Sequence, residues 1–104
     1  MTTLLALDIG GTKVGWGIAW AGDSYEVTER GSIPTDAMRG GADVAARICD
    51  LAASLVASHP QVSGVAVASA GVVDPSTGDI VSATGTMPGW GGTHLGAQLQ
   101  AATG

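Results

Sequence analysis

The sequence predicts an α/β fold in which a three-stranded antiparallel meander is extended by a parallel strand and flanked by helices. Three observations predict it. Residues 14–20 keep a period of two directly after a short glycine hairpin. Residues 42–58 carry a single apolar stripe at helical spacing. Residues 62–70 then form a second apolar run of strand length.

Residues 3–9 (TLLALDI) are apolar until Asp8 and read as a central strand buried on both faces. Gly10-Gly11-Thr12-Lys13 punctuates the run. In the next strand Val14, Trp16, Ile18 and Trp20 share one face, while Gly15, Gly17 and Ala19 share a small face that lets something pack close. Ala21-Gly22-Asp23 reads as a turn. Residues 24–33 are polar and alternate poorly, as an edge strand can. Residues 34–41 read as a loop. In the helix over 42–58, Val44, Ile48, Leu51 and Leu55 form the stripe, Asp43 and Arg47 pair four apart on the other side, and Pro60 ends it. Residues 62–70 read as another buried strand. Asp74-Pro75-Ser76-Thr77-Gly78 is a strong turn signal, Ile80-Val81 a short return strand, and residues 83–92 a glycine-rich loop. Thr93 is placed to cap a last helix carrying Leu95 and Leu99. Nothing follows that helix to pair on the sheet, so the order reads as the first part of a larger fold.

Composition sets bounds. The 104 residues fit one small domain. Charged residues make up 12%, about half the usual ~25% share, and 45% are hydrophobic, which excludes a disordered tail. The 17 glycines follow no three-residue period, so collagen is excluded. Four basic residues stand against nine acidic ones, for a net charge of −5. That balance argues against nucleic acid and anionic membranes as partners. One cysteine excludes a disulfide within the chain and a cysteine-rich zinc site. No signal peptide and no apolar run of ~18 residues is present, which makes a cytoplasmic protein the default expectation.

The chemistry is concentrated in Asp8-Ile9-Gly10-Gly11-Thr12-Lys13. The spacing is neither that of a P-loop nor of a dinucleotide fingerprint, and both of those motifs open a helix. Here the period of two continues, so the loop joins antiparallel strands. Without Cβ atoms the backbone N–H groups of Gly10, Gly11, Thr12 and Lys13 can approach an anion, with the Thr12 hydroxyl and Lys13 ammonium as further donors. Asp8 can hold Mg²⁺, through water. On spacing alone a structural hairpin turn, with Asp8 capping its own backbone, remains an equal alternative.

LDIGGTK followed by an alternating strand resembles the phosphate hairpin of the actin and hexokinase superfamily. Within it the chain resembles the ROK family of sugar kinases and sugar-responsive repressors. Three later stretches match in order: Ala68-Ser69-Ala70-Gly71-Val72-Val73-Asp74-Pro75, Gly78-Asp79-Ile80-Val81-Ser82-Ala83-Thr84, and Pro88-Gly89-Trp90-Gly91-Gly92 with the helix after it. The resemblance spans the whole chain. It implies a ribonuclease H-like (actin-like ATPase) N-terminal half-domain over residues 1–104, truncated before the catalytic segment. It implies ATP and Mg²⁺ as cofactors, with Asp8 near the metal and Gly10, Gly11, Thr12 and Lys13 against the nucleotide phosphates. Gly71 and Thr84 match positions lining the sugar pocket; without the resemblance they read as an ordinary turn and strand end.

The parent activity implied is phosphorylation of a hexose or N-acylhexosamine by a homo-oligomeric enzyme. The alternative is the sugar-binding part of a ROK repressor, disfavoured because no basic helix precedes the first strand. The family's catalytic base, an Asp in an Asn-Asp segment, is expected after Gly104, and this chain has no Asn. Any structural Zn²⁺ site would likewise fall in a missing C-terminal part. No catalytic residue is therefore expected in this chain, and the 104 residues alone are expected to be inactive.

Other residues read as structural. Asp74 and Asp79 fit a hairpin turn better than an acid/base pair. His59 and His94 read as solvated, with no shared metal partner. Ser69 lacks the spacing of a nucleophile elbow. Cys49 reads as an inert thiol at the edge of the core. Trp16, Trp20 and Trp90 read as core in preference to a sugar-stacking platform.

Overall fold

A computed structural model describes residues 2–22 and 24–104; Met1 and Asp23, the last residue of the predicted Ala21–Asp23 turn, lie outside them. The chain runs β1 (Thr2–Ile9), β2 (Lys13–Ala21), β3 (Tyr25–Pro34), a 3₁₀ turn (Ala37–Arg39), α1 (Gly41–Ser58), β4 (Val62–Ser69), β5 (Val72–Val73), β6 (Ile80–Ser82) and α2 (Leu95–Thr103). The main sheet has the order β3-β2-β1-β4, antiparallel across the meander and parallel between β1 and β4. β5 and β6 form a separate small ribbon. The predicted α/β architecture is thus the observed one.

Register sorts the side chains. Leu5, Leu7 and Ile9 of β1 and Val14 and Ile18 of β2 are buried under α1, with Val44, Ala45, Ile48 and Ala52 facing them. Each large aliphatic side chain buried this way contributes about 1.5–3 kcal/mol. The opposite face pairs Asp8 with Gly15 and Ala68, and Ala6 with Gly17 and Ala66. Asp8, Ala66 and Ala68 are exposed. Two expectations are therefore corrected. β1 is buried on one face, not both, and β4 is a half-exposed edge strand, not a buried one. An apolar run marks a strand but does not say whether anything packs on its second face.

The helix stripe is also rotated from its predicted position. Ala45 and Ala52 are buried, whereas Leu51 and Leu55 are only partly so. Small side chains bring α1 close to the sheet, and at its start a Cβ on Gly41 would fall 2.0 Å from the Gly89 carbonyl oxygen. α2 packs on α1, burying Leu95 and Leu99. Its N-cap is His94, with no side-chain capping bond, and not the expected Thr93; the Thr93 carbonyl instead accepts the Ile80 N–H at 2.8 Å. Within the expected turn after β4, Val72–Val73 forms a strand by pairing with β6. The predicted turn itself is present: Asp74 Oδ1 accepts the Ser76 N–H at 2.9 Å and its hydroxyl at 2.7 Å, which lowers the Asp74 pKa. The poor alternation of β3 has a cause. The register shifts beside Ile18 and Ala19, which leaves Thr28 as an extra residue, its hydroxyl donating to the Ile18 carbonyl.

His59 is not solvated, as expected, but a fastening between layers. Its side chain is 14% exposed. Nδ1 donates to the Leu55 carbonyl at 2.8 Å and Nε2 meets the Glu29 carboxylate, which ties the end of α1 to β3. The Leu55 carbonyl, and then Glu29, raise the His59 pKa above its usual 6.5. A group whose pKa is raised on folding adds stability below its unfolded pKa and loses it as pH rises through the folded value. Unfolding by urea is therefore expected to show the wild-type chain losing stability between about pH 6 and pH 8. His59→Gln should flatten that interval, and an unchanged profile in the variant would count against the pairing.

Candidate functional site

The β1–β2 hairpin stands at the carboxyl end of β1. Its turn is closed by the Gly10 N–H donating to the Lys13 carbonyl at 3.0 Å. Gly10 therefore shapes the turn and offers no free donor. The N–H groups of Gly11 and Thr12 have no backbone partner among the described residues, and both residues are exposed. They remain as donors for an anion, beside the exposed Lys13 ammonium. Lys13 takes part in none of the ion pairs among the described residues.

Asp8 sits one residue before the end of β1, on the open face. Because its cross-strand neighbours are Gly15 and Ala68, no bulky side chain covers its carboxylate. Asp8, Lys13, Gly15, Ala66 and Ala68 border an open cavity of about 810 Å³ along this face. Among the described residues no three His, Cys, Asp or Glu side chains gather where they could hold a metal ion. One exposed carboxylate beside free backbone donors matches how Mg²⁺ is commonly held, by one or two carboxylates together with substrate phosphates.

The hairpin is braced from behind. Thr35, just after β3, is completely buried. Its hydroxyl donates to the Gly10 carbonyl at 2.7 Å, and its N–H to the Thr12 carbonyl at 3.0 Å. Arg47 of α1 donates to the Pro34 carbonyl at 3.0 Å and also to the Thr35 carbonyl, while its Nε bonds Asp43 at 2.8 Å.

A second loop closes on the same end of the sheet. The Ala70 N–H donates to the Ile9 carbonyl at 2.8 Å, so the chain leaving β4 is stitched to the end of β1. Trp90 is fully buried, and its indole N–H lies 3.2 Å from the Ser69 hydroxyl and 3.3 Å from the Ala70 carbonyl. It is core, as read from the sequence. Gly71 adopts φ 95°, and a Cβ there would fall 2.5 Å from the Ser82 carbonyl oxygen. Thr84 is exposed, with its hydroxyl 2.7 Å from that of Thr86. Thr86 Oγ1 lies 3.9 Å from the point where a Cβ of Gly11 would stand. The hairpin and the Gly71–Thr86 segment, far apart in sequence, therefore meet.

Comparison with known proteins places this arrangement. No family model matches the chain. An uncharacterized protein of Clostridium perfringens (strain 13 / Type A) is 30% identical over 95 residues, 91% of this chain and 31% of its own length. A solved Listeria monocytogenes protein, proposed to be an N-acetylmannosamine kinase, superposes with a TM-score of 0.76 at 26% identity, covering 98% of this chain and 32% of that one. An inorganic polyphosphate/ATP-glucomannokinase of Arthrobacter sp. strain KM gives 0.71 at 27% identity, covering 99% and 41%. A ROK family glucokinase of Streptomyces griseus, solved with glucose and AMPPNP, gives 0.76 at 21%, covering 95% and 30%. The chain carries the fold of the ROK family. It spans about a third of the curated relative's length, and between 30% and 41% of these structures.

Within the ROK fold the structure brings together most residues that the sequence singles out. Asp8, Gly11, Thr12 and Lys13 cluster at the hairpin, and Gly71 and Thr84 lie on the adjoining segment. Sequence reasoning missed two residues. Thr86 carried a faint signal, a second hydroxyl two residues after Thr84 in the Thr-Gly-Thr stretch. Thr35 carried none, because nothing local marks a loop threonine that folds back under a hairpin. Cys49 behaves as read: partial burial, and then Asp50, raise its thiol pKa and keep it protonated.

The Gly71 backbone yields a clean test. Gly71→Ala meets both a positive φ and the Ser82 carbonyl, whereas Gly92→Ala, at φ 90° with open space around it, meets only the first. Backbone strain of this kind costs about 1–3 kcal/mol. Urea unfolding is expected to show Gly71→Ala clearly more destabilised than Gly92→Ala; equal losses would mean that the Ser82 contact is unimportant.

Proposed function

We propose that residues 1–104 are the N-terminal domain of an ATP-dependent sugar kinase, acting on a hexose or N-acylhexosamine. The observation that carries this reading is the meeting of Gly11 with Thr86, which puts a phosphate-suited hairpin beside a hydroxyl-bearing segment. Ligands of open α/β sheets bind at the carboxyl ends of strands, and both segments sit there. The resemblance to a protein proposed to be an N-acetylmannosamine kinase and to a polyphosphate/ATP-glucomannokinase supports the same reading.

The residues present fit Mg·ATP. Asp8 offers an uncovered carboxylate, the Gly11 and Thr12 amides offer donors, and Lys13 supplies the cation. When bound, the Mg²⁺ would neutralise phosphate charge in the transition state. The work of this chain's residues is to hold and orient. Gly11, Thr12 and Lys13 bind phosphate oxygens, Asp8 anchors the cation through water, and Thr84 accepts or donates one hydrogen bond at a sugar hydroxyl. Gly71 keeps the backbone beside Ser82 tight enough to present that threonine. No group of this chain is assigned the proton transfer from the sugar hydroxyl.

Two substitutions in the full-length kinase separate the roles. Asp8→Asn keeps the shape and removes the charge, so kcat is expected to fall by about 10²-fold with sugar KM nearly unchanged. Thr84→Val should do the reverse and raise sugar KM about two- to tenfold, the worth of one hydrogen bond. Initial rates with each substrate varied in turn measure both. Loss of sugar binding in Asp8→Asn, or unaltered turnover, would make the hairpin a structural turn instead.

A further inference from the structure

We propose that Thr35, held by Arg47 and Asp43, is a positioning residue for the hairpin, fixing residues 10–13 in the shape that receives nucleotide phosphate. The inference rests on the reading of that hairpin given above.

The hairpin has little stiffness of its own. It contains two adjacent glycines, and one backbone bond spans its turn, from the Gly10 N–H to the Lys13 carbonyl. Thr35 supplies what the turn lacks. It grips the carbonyl on each side of Gly11, through its hydroxyl at Gly10 and its N–H at Thr12. It is the one polar side chain fully buried among the described residues, so its hydroxyl would be left unsatisfied without the Gly10 carbonyl.

Thr35 is itself fixed. The Arg47 guanidinium reaches the carbonyls of residues 34 and 35 together, and its remaining direction is satisfied by Asp43 one helical turn earlier. A planar fork with several fixed donors can do this; an ammonium cannot. The i,i+4 pair on α1 is therefore more than a surface salt bridge. It refers the hairpin to the helix as well as to its own strands, and both peptide carbonyls that flank Gly11 point inward to Thr35. The Gly11 and Thr12 N–H groups are left for an anion.

The test uses Thr35→Val, Thr35→Ser and Arg47→Lys in the full-length protein. Valine keeps the shape and loses the hydroxyl; serine keeps the hydroxyl. Thr35→Val is expected to raise the KM for Mg·ATP about three- to tenfold, with the sugar KM unchanged within about twofold. Thr35→Ser should restore the wild-type value, and Arg47→Lys should fall between. Amide hydrogen exchange at residues 10 and 35, whose N–H groups are bonded to the Lys13 and Thr12 carbonyls, should quicken in Thr35→Val and Arg47→Lys but not in Thr35→Ser. An equal rise in both KM values, or hairpin exchange identical to wild type, would overturn the proposal. If Thr35→Val does not fold, Arg47→Lys against Thr35→Ser gives the same comparison. A wild-type protein without ATP-dependent turnover would sink the kinase reading, while the exchange comparison would still decide whether Thr35 sets the hairpin.

Discussion

Everything at the candidate site hangs from the two hydrogen-bonded edges of β1. One edge carries the antiparallel ladder to β2, which ends in the hairpin. The other carries the parallel ladder to β4, which is extended past its end by the Ala70 N–H to Ile9 carbonyl bond. A strand held on both edges cannot slide without exchanging its faces. Leu5, Leu7 and Ile9 keep the register by burial, and Asp8 is thereby fixed on the opposite side.

That register explains why the two faces of one sheet differ so much. Under α1 the side chains are large, closely packed and dry. Around Asp8 on the open side its strand neighbours are Gly15 and Ala68, with Ala6, Gly17 and Ala66 beyond them. A ligand or a further layer can approach the backbone closely only where side chains are small, and an unshielded acid can serve a cation only where nothing covers it. The same alternation that builds the core thus also clears the ground around Asp8. Arg47 and Thr35 act from the buried side, and the Gly11 and Thr12 N–H groups, without a backbone partner among the described residues, lie at the rim where the two faces meet.

The meander, the main helix and the hairpin were legible in the sequence because each is a local signal: period two, a 3–4 spacing, adjacent glycines. The resemblance of Asp8–Lys13 and of the Gly71 and Trp90 segments to ROK motifs singled out the remaining candidate residues. Burial was less legible. Leu4 and Ala6 look as apolar as Leu5 and Leu7, yet they face the side on which little packs. The choice of Ala45 and Ala52 over Leu51 and Leu55 as helix-face residues depends on how near α1 comes to the sheet, a distance no spacing encodes. Thr35 was missed and His59 misjudged for the same reason, since their partners Gly10, Thr12 and Glu29 are distant in sequence.

The parallel ladder has a consequence in time. β1, β2 and β3 are sequence neighbours and can pair through short loops, whereas residues 3–9 and 62–69 are separated in sequence by the rest of the meander and the helix. Non-local pairings of this kind are entropically late in folding. On topological grounds the hairpin takes shape in an early, local event, and the Gly71–Thr86 segment arrives afterwards on a strand end that is already built. A nascent chain would thus complete its glycine turn well before the Gly71–Thr86 segment is there to meet it.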